Sequence, residues 1–435
     1  MGDVAAAPRL EPPPEVRRIV ERLERAGHEA WCVGGAVRDA LLGLDHLDWD
    51  VATAARPDQV RRIFRRTVPV GVQYGTVGVL DEHNVLHEVT TFRRDVRTDG
   101  RHAEVEFGVS LDDDLARRDF TVNAIAFSPT RDEVRDPFDG RRDLKRRIVR
   151  CVGDPEARMR EDRLRALRGI RFAGRFGFEI DPATWRAIVA CAPHLGRLSP
   201  ERVQQEIVKT LEQVAKPSTA FSLWQSSGAF AALVPPLADA PPERFTIADA
   251  LPRPSLRTRP ARRLLRLASL FVDVPTADVR ETLRQLRFAN SDVDAVARIT
   301  DGWRAVGADI GAALSSGTAP GDGRVRRWVA ALGRTQWTLV MRLADAVWAT
   351  ARARGEQAPP ATLVHSLYRR GIRIAFHDPI ELADLALNGD DLRAAGVPAG
   401  PAIGRLLARL LEVVVDDPAK NQRDVLLAIV TRDAA

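Results

Sequence analysis

The chain has 435 residues, beyond the roughly 250 to 300 at which one hydrophobic core stops growing, so about two to four folded units are expected. Its 65 basic residues, nearly all arginine, outweigh 59 acidic ones to give a net charge of +6, a modest excess that fits a nucleic-acid partner. With 45% hydrophobic and 29% charged residues the composition is that of an ordinary globular protein, with disorder expected only in short segments such as the leader at 1–14; no apolar run is long enough to span a bilayer, the N-terminus does not read as a signal peptide, and the widely spaced Cys32, Cys151 and Cys191 argue against a zinc or disulfide frame, so a cytoplasmic protein is expected.

After a Pro-rich leader (residues 1–14), "PEVRRIVERLERAG" sets Val16, Ile19, Val20 and Leu23 at helical spacing, with Gly27 as a stop. "AWCVGG" reads as a short buried strand, "AVRDALLG" as a helix ending at Gly43, "WDVAT" as a strand and "RPDQVRRIFRRT" as a helix; "GTVGVLD" and "VLHEVTTFR" follow as strands. This alternation predicts an α/β unit over residues 15–150. Beyond about residue 153 long Ala/Leu/Arg segments predict a helical remainder, with seams near 233–245 and 314–324. Trp224, Trp303 and Trp328 read there as core.

Two short stretches carry chemistry. In "VGGAVRD", Gly34 and Gly35 stand between a strand and a helix start, where glycine permits a tight turn and lets backbone N–H groups approach a phosphate; Arg38 could reach a triphosphate or cap a surface. In "DHLDWDVAT", Asp48 and Asp50 stand two residues apart at the start of a strand and so share a face. Paired carboxylates repel without a cation, and oxygen ligands of this kind suit Mg²⁺. Asp45 reads as turn chemistry and Trp49 as packing on the opposite face.

Together, "CVGGAVRDALLGLDHLDWDVAT" resembles the signature of the tRNA nucleotidyltransferase and bacterial poly(A) polymerase family, whose head domain is a polymerase-β-like nucleotidyltransferase. The resemblance implies an α/β head with a mixed sheet (15–150), then all-α neck (151–215), body (216–330) and tail (331–435). It also implies that Asp48 and Asp50 hold two catalytic magnesium ions, and that Gly34, Gly35 and Arg38 bind the incoming nucleotide. "LARRDFTVNAIAF" resembles the next motif, with Arg118 as a nucleotide-contacting arginine beside Asp119 and Asn123; from the residues alone it is a charged turn entering a buried strand. "DPFDGRRDLKRRIVR" resembles the third motif and "SPERVQQEIVKTL" a structural fifth.

"REDRLRALRGIRF" matches the family's EDxxR motif at Glu161, Asp162 and Arg165, with Arg168 and Arg171 continuing at steps of three along a helix and implied to line the nucleotide pocket. Cytosine and adenine each present an amino donor beside a ring-nitrogen acceptor, whereas uracil and guanine present the reverse. An aspartate that only accepts beside an arginine that only donates fits C and A and mismatches U and G. The resemblance implies that Asp162 and Arg165 read the base in this way, in place of a nucleic-acid template.

"FRRDVRTDGRHAEVEF" reads as a charged connecting loop and resembles the family's flexible loop at Arg93, Asp95, Asp99, Gly100, Arg101 and His102, which favours complete CCA addition over CC addition. "TVPVGVQYGTVGV" matches the tRNA-type members, not the poly(A) polymerases. "LALNGDDLRAAGVPAGPAIGRLLARLLEVV" resembles the tail that grips the tRNA elbow, with 388–400 as turn and a helix from Pro401. The expected activity is template-independent addition of CCA to tRNA 3′ ends from CTP and ATP, with Mg²⁺ and release of pyrophosphate; the alternatives are a CC- or A-adding partial enzyme, a poly(A) polymerase, or an inactive RNA-binding protein. Glu88, on a strand face with Leu86 and Thr90, suits either a third metal-adjacent carboxylate or an ion pair with an arginine.

Overall fold

The computed structural model describes residues 10–44, 48–98, 103–252, 259–317 and 319–434; Asp45, Asp99, Gly100, Arg101 and His102 lie outside the described residues, as does the side chain of Asp95. The chain divides into two compact units, Met1–Thr210 with Leu223–Ala238, and Leu211–Ser222 with Asp239–Ala435.

The first unit opens with α1 (Pro14–Arg25), whose Val16, Ile19, Val20 and Leu23 are all buried, and the chain leaves it through Gly27 at φ +85°. Next come β1 (Ala30–Val33), α2 (Gly35–Leu41), β2 (Asp50–Thr53), α3 (Pro57–Ile63), β3 (Thr67–Gly71), β4 (Thr76–Leu80) and β5 (Leu86–Thr91). A hairpin, β6 (Arg93–Thr98) and β7 (Ala103–Phe107), precedes α4 (Leu111–Ala116), β8 (Ala126–Ser128) and β9 (Glu133–Arg135). Seven strands form one mixed sheet in the order β3-β4-β5-β2-β1-β8-β9, in which β2 and β5 run parallel and the other neighbours antiparallel. Trp31, Val33 and Ala52 on one sheet face pack with Leu111 and Leu115 of α4 and with Phe92. That face continues across β5, β4 and β3.

Helices follow: α5 (Gly140–Arg146), α6 (Pro155–Glu161), α7 (Leu164–Phe176), α8 (Pro182–Cys191) and α9 (Pro200–Gln213). The second unit is helical throughout its described residues. Trp328, Trp337 and Trp348 share a core with Ile310, Met341 and Ile374, while Trp303 is half-buried against Trp348. A second cluster joins Leu387, Leu392, Leu410, Val414, Leu426 and Val430 near the C-terminus. Among the described residues no helix is long and apolar enough to cross a membrane.

Several local expectations change. Strand β2 begins at Asp50, so exposed Asp48 precedes the strand and does not share its face by alternation. Within the charged segment 92–107 the described residues Arg93–Thr98 and Ala103–Phe107 pair as two strands, where a loop was expected; Arg94 pairs with Glu106 across them at 2.7 Å with both side chains exposed. "FTVNAIAF" begins as a 3₁₀ turn (Thr121–Asn123) before β8. The EDxxR helix breaks at Asp162, whose φ of −149° and ψ of 105° are extended. One two-residue strand, Glu179–Ile180, interrupts the helical remainder by pairing with Ile148–Val149 at the end of the α/β unit, and 388–400 contains a short helix, Gly389–Ala394, capped by Asn388.

All three cysteines are buried. Burial pushes the thiols of Cys32 and Cys151 up to about 12 and raises that of Cys191. Since the thiolate is the reactive form, the native chain at mildly alkaline pH is expected to resist iodoacetamide, with all three cysteines labelling once denaturant exposes them. Mass spectrometry of the intact chain reads the count, and rapid native labelling of Cys32 would refute the buried-strand placement.

Candidate active site

The first unit holds a cleft of about 520 Å³, within the range of small-molecule sites. Strand β1 ends into Gly34, whose φ of +78° and ψ of −136° suit glycine alone. A Cβ there would sit 3.0 Å from Arg118 Nη1 and 3.7 Å from Asp50 Oδ2, so the missing side chain leaves room for both groups. Gly34, Gly35, Arg38, Asp50, Arg118, Asp162, Arg165 and Arg168 all line the cleft. Asp48 and Arg171 do not. Arg171 is buried, donating through Nε to Glu206 Oε2 at 2.7 Å, and burial lowers its pKa against the pull of that glutamate.

Charges hold one another in place around the cleft. Buried Arg38 donates to Asp39 Oδ1 at 2.7 Å and to Asn123 Oδ1, and lies over the rings of Phe172 and Phe176 at 5.0 and 4.7 Å. Asp39, fully buried, also accepts from Arg175 at 2.8 Å. Asp119 accepts from Arg168 Nε and Asn123 Nδ2, each at 2.8 Å. Burial alone would raise its carboxyl; Arg168 and Asn123 outweigh that and hold it down at about 2. Buried Asp114 accepts from Arg117 at 2.9 Å and from Arg118 at 3.2 Å.

Asp162 and Arg165 stand where α6 meets α7. Asp162 Oδ1 accepts from the Leu164 N–H, the first of α7, at 3.1 Å, and Oδ2 accepts from Arg202 Nη2 at 2.7 Å. Arg165 donates to Glu161 Oε2 at 2.7 Å and to the carbonyls of Arg158 and Arg117 at 3.2 and 2.9 Å. These partners fix both side chains while leaving a carboxylate's further lone pairs and a guanidinium's further N–H groups for a ligand.

Sequence reading passed over Thr76 and Arg117 in the cleft lining, assigned Arg93 to the flexible loop and Thr90 only to the strand face of Glu88, and left Glu88 undecided. Parallel pairing of Val51 with Val89 sets Asp50 and Glu88 side by side, one residue earlier on neighbouring strands. Glu88 is exposed, and no arginine pairs with it among the described residues, which corrects the ion-pair alternative. Strand alternation alone could have found it, given the register. The lining holds six arginines against four carboxylates (Asp50, Glu88, Asp119 and Asp162), a balance suited to a polyanion, and its hard oxygen donors at Asp50 and Glu88 fit magnesium.

Three family profiles match the chain: the Poly A polymerase head domain over residues 30–150, an RNA- and SrmB-binding site of polymerase A over 177–240, and tRNA nucleotidyltransferase domain 2 over 327–430. The CCA-adding enzyme of Levilactobacillus brevis is 34% identical over 424 residues, covering 95% of this chain and 96% of the relative; that of Geobacillus stearothermophilus is 36% identical, covering 96% and 97%. The chain belongs to the CCA-adding enzyme family. A crystal structure of the Bacillus stearothermophilus CCA-adding enzyme in complex with CTP superposes with a TM-score of 0.75 at 33% identity, covering 98% of each chain. The Thermotoga maritima CCA-adding enzyme complexed with tRNA shares the fold at a TM-score of 0.63 and 20% identity, over 97% of this chain and 96% of that one. CCA-adding enzymes are nucleotidyltransferases, and the cleft lies in the part of the chain that the head-domain profile and α7 supply.

The depressed Asp119 carboxyl has a consequence for stability. Its folded pKa lies below the ~3.9 of an unfolded aspartate, so its stabilising contribution is complete above that value and is lost as pH falls toward 2. Denaturant titrations from pH 5 down to about pH 2.5 should show Asp119→Asn losing less stability on acidification than the wild type. Parallel curves would contradict the assignment.

Proposed function

We propose that this chain completes tRNA 3′ ends, adding C, C and A from CTP and ATP without a nucleic-acid template and releasing pyrophosphate, as a magnesium-dependent cytoplasmic enzyme. The observation that carries the reading is the joining, in one cleft, of Asp50 and Glu88 at the sheet with the Asp162–Arg165 pair at the head of α7. The CTP complex of the 33% identical relative supports it.

In this reading Gly34 and Gly35 let the backbone approach the triphosphate, and Arg38, Arg118 and Arg168 neutralise it. Asp162 accepts from the exocyclic amine of cytosine or adenine, and Arg165 donates to the neighbouring ring nitrogen. A uracil or guanine edge would set carbonyl against carboxylate and N–H against guanidinium, leaving buried polar groups unpaired at a cost of about 1 to 3 kcal/mol each. Asp50, with Glu88 beside it on the neighbouring strand, would hold the magnesium ions, and Asp48, two residues earlier and outside the cleft lining, would have to turn toward them to share them. When bound, the ions supply the charge that lowers the pKa of the attacking 3′-hydroxyl and offsets that of the leaving pyrophosphate. Arg171, locked on Glu206, serves the reading by holding α7 against α9.

Incubating the purified chain with tRNA that lacks its CCA end, with each nucleotide singly and together, and sequencing the products tests the function. Addition of CCA and no more is expected; long A tails, or a halt after CC, would overturn it. Asp50→Asn should lower addition of every nucleotide by at least about a thousandfold while tRNA binding persists. Arg165→Ala should first relax the choice of C and A over U and G, measured as ratios of kcat/KM, and unchanged ratios would refute its role in base reading.

A further inference from the structure

Ten large apolar side chains stand exposed among the described residues, and five of them, Val68, Val70, Val72, Val85 and Leu86, fall within or beside β3 and β5. Single exposed apolar residues need no explanation; a cluster does. Strand pairing shows how the cluster is built. Val68 pairs with Gly78 and Gly78 with Glu88, so β3, β4 and β5 present Val68, Gly78 and Glu88 in one row. A Cβ on Gly78 would come within 2.5 Å of Leu86 Cδ1 and 2.9 Å of Val70 Cγ2. Val70 and Leu86 therefore close over the bare glycine into a continuous shelf, each about two-fifths exposed at 43% and 40%.

The shelf adjoins the cleft on the same sheet face. Reading across the strands, Gly34 and Gly35 follow β1, Asp50 stands on β2, Glu88 on β5, Gly78 with Leu86 on β4 and β5, and Val70 on edge strand β3. The groups suited to the nucleotide lie on the β1 and α7 side of the carboxylates. In phosphoryl transfer the attacking and leaving oxygens are roughly in line across the phosphorus, so the attacking hydroxyl must come from the opposite side, over β5 and β4.

We propose that this shelf seats the unpaired 3′-terminal bases of the acceptor RNA. Val70 and Leu86 take the flat faces of the last bases and deliver the terminal hydroxyl to Asp50 and Glu88. This rests on the nucleotidyl-transfer reading of the cleft. Aliphatic side chains offer no hydrogen bonds to base edges, so the shelf accepts C and A alike, as a primer end that changes identity after each addition requires. Exposed Arg65 and Arg66, which immediately precede β3, place positive charge at the head of that strand for the RNA backbone. Pairing of β3 with a second copy is disfavoured, since Pro69 has no N–H to offer and the register shifts between Pro69 and Gly71.

The test compares wild type with the Val70→Ser/Leu86→Ser double variant on tRNA ending in CC, with ATP. The KM for tRNA should rise about tenfold, while the KM for ATP at saturating tRNA and kcat stay within about twofold. Independently, wild-type protein irradiated with tRNA carrying 4-thiouridine in place of its last C should crosslink to the 67–90 segment, a readout that does not depend on how the variant folds. An unchanged tRNA KM in a folded variant, or a crosslink that maps elsewhere, overturns the inference while leaving the cleft assignment intact. A wild-type dimer that the substitutions dissociate with no change in tRNA KM would make the face an interface between copies and likewise overturn it. A wild type that adds nothing to any tRNA would instead overturn the functional reading beneath it.

Discussion

The site exists because one face of α7 is bound rung by rung to the sheet unit's loops and to α2, and every rung is a guanidinium or an aromatic ring. Arg165 donates to the Arg117 carbonyl, Arg168 to Asp119, Phe172 underlies Arg38, and Arg175 donates to Asp39. Positions 165, 168, 172 and 175 recur at helical spacing, so a rigid rod carries all four. The sheet supplies Asp50, Glu88 and the Gly34–Gly35 turn, while the helix supplies Arg165 and Arg168. Without the rungs these two sets of groups would have no fixed separation.

Such an arrangement is costly in isolation. A buried ion pair recovers its desolvation only when geometry is good and the remaining donors and acceptors are satisfied. Asp39 meets that condition by sharing its two oxygens between Arg38 and Arg175 at full burial, and Asp119 meets it with Arg168, Asn123 and the Phe120 N–H. Removing one member of a buried pair strands the other, which typically costs about 3 to 5 kcal/mol. The network is thus held together by its own penalty, and this rigidity is what the proposed base reading by fixed side chains would need. Arg171 and Glu206 extend the same logic away from the cleft, tying α7 to α9.

What could be read from sequence follows from range. The burial of α1, the stop at Gly27 and the strand before Gly34 are set by neighbours a few residues apart, and local spacing revealed them. Spacing did not reveal that Asp48 precedes the strand that Asp50 begins, because two aspartates at a strand's start look alike whichever of them pairs first. It failed at the helix break too, because extended Asp162 meets the Leu164 N–H and Arg202, the latter a partner forty positions away. Steps of three also grouped Arg171 with Arg168, although each step turns the helix by about 300° and two steps carry the later arginine off the cleft toward α9. Glu88 stayed open for the same reason, since its position beside Asp50 depends on the parallel register of β2 and β5.

On the proposed reading of the base by Asp162 and Arg165, the Asp162 clamp decides what kind of template the protein can be. One oxygen is spent on the Leu164 N–H and the other on Arg202, while Arg165 is held by Glu161 and two carbonyls, so neither side chain need reorganise when a base arrives. A free aspartate and arginine would pair with each other, and a base would have to break that pair. Here each charge already has a different partner, so the pair meets the nucleotide as a fixed acceptor beside a fixed donor. Two bases share the matching edge, so on that reading the geometry would reject U and G but would not by itself order C before A. The order must come from something that changes between additions, and the growing 3′ end is the component of the complex that does.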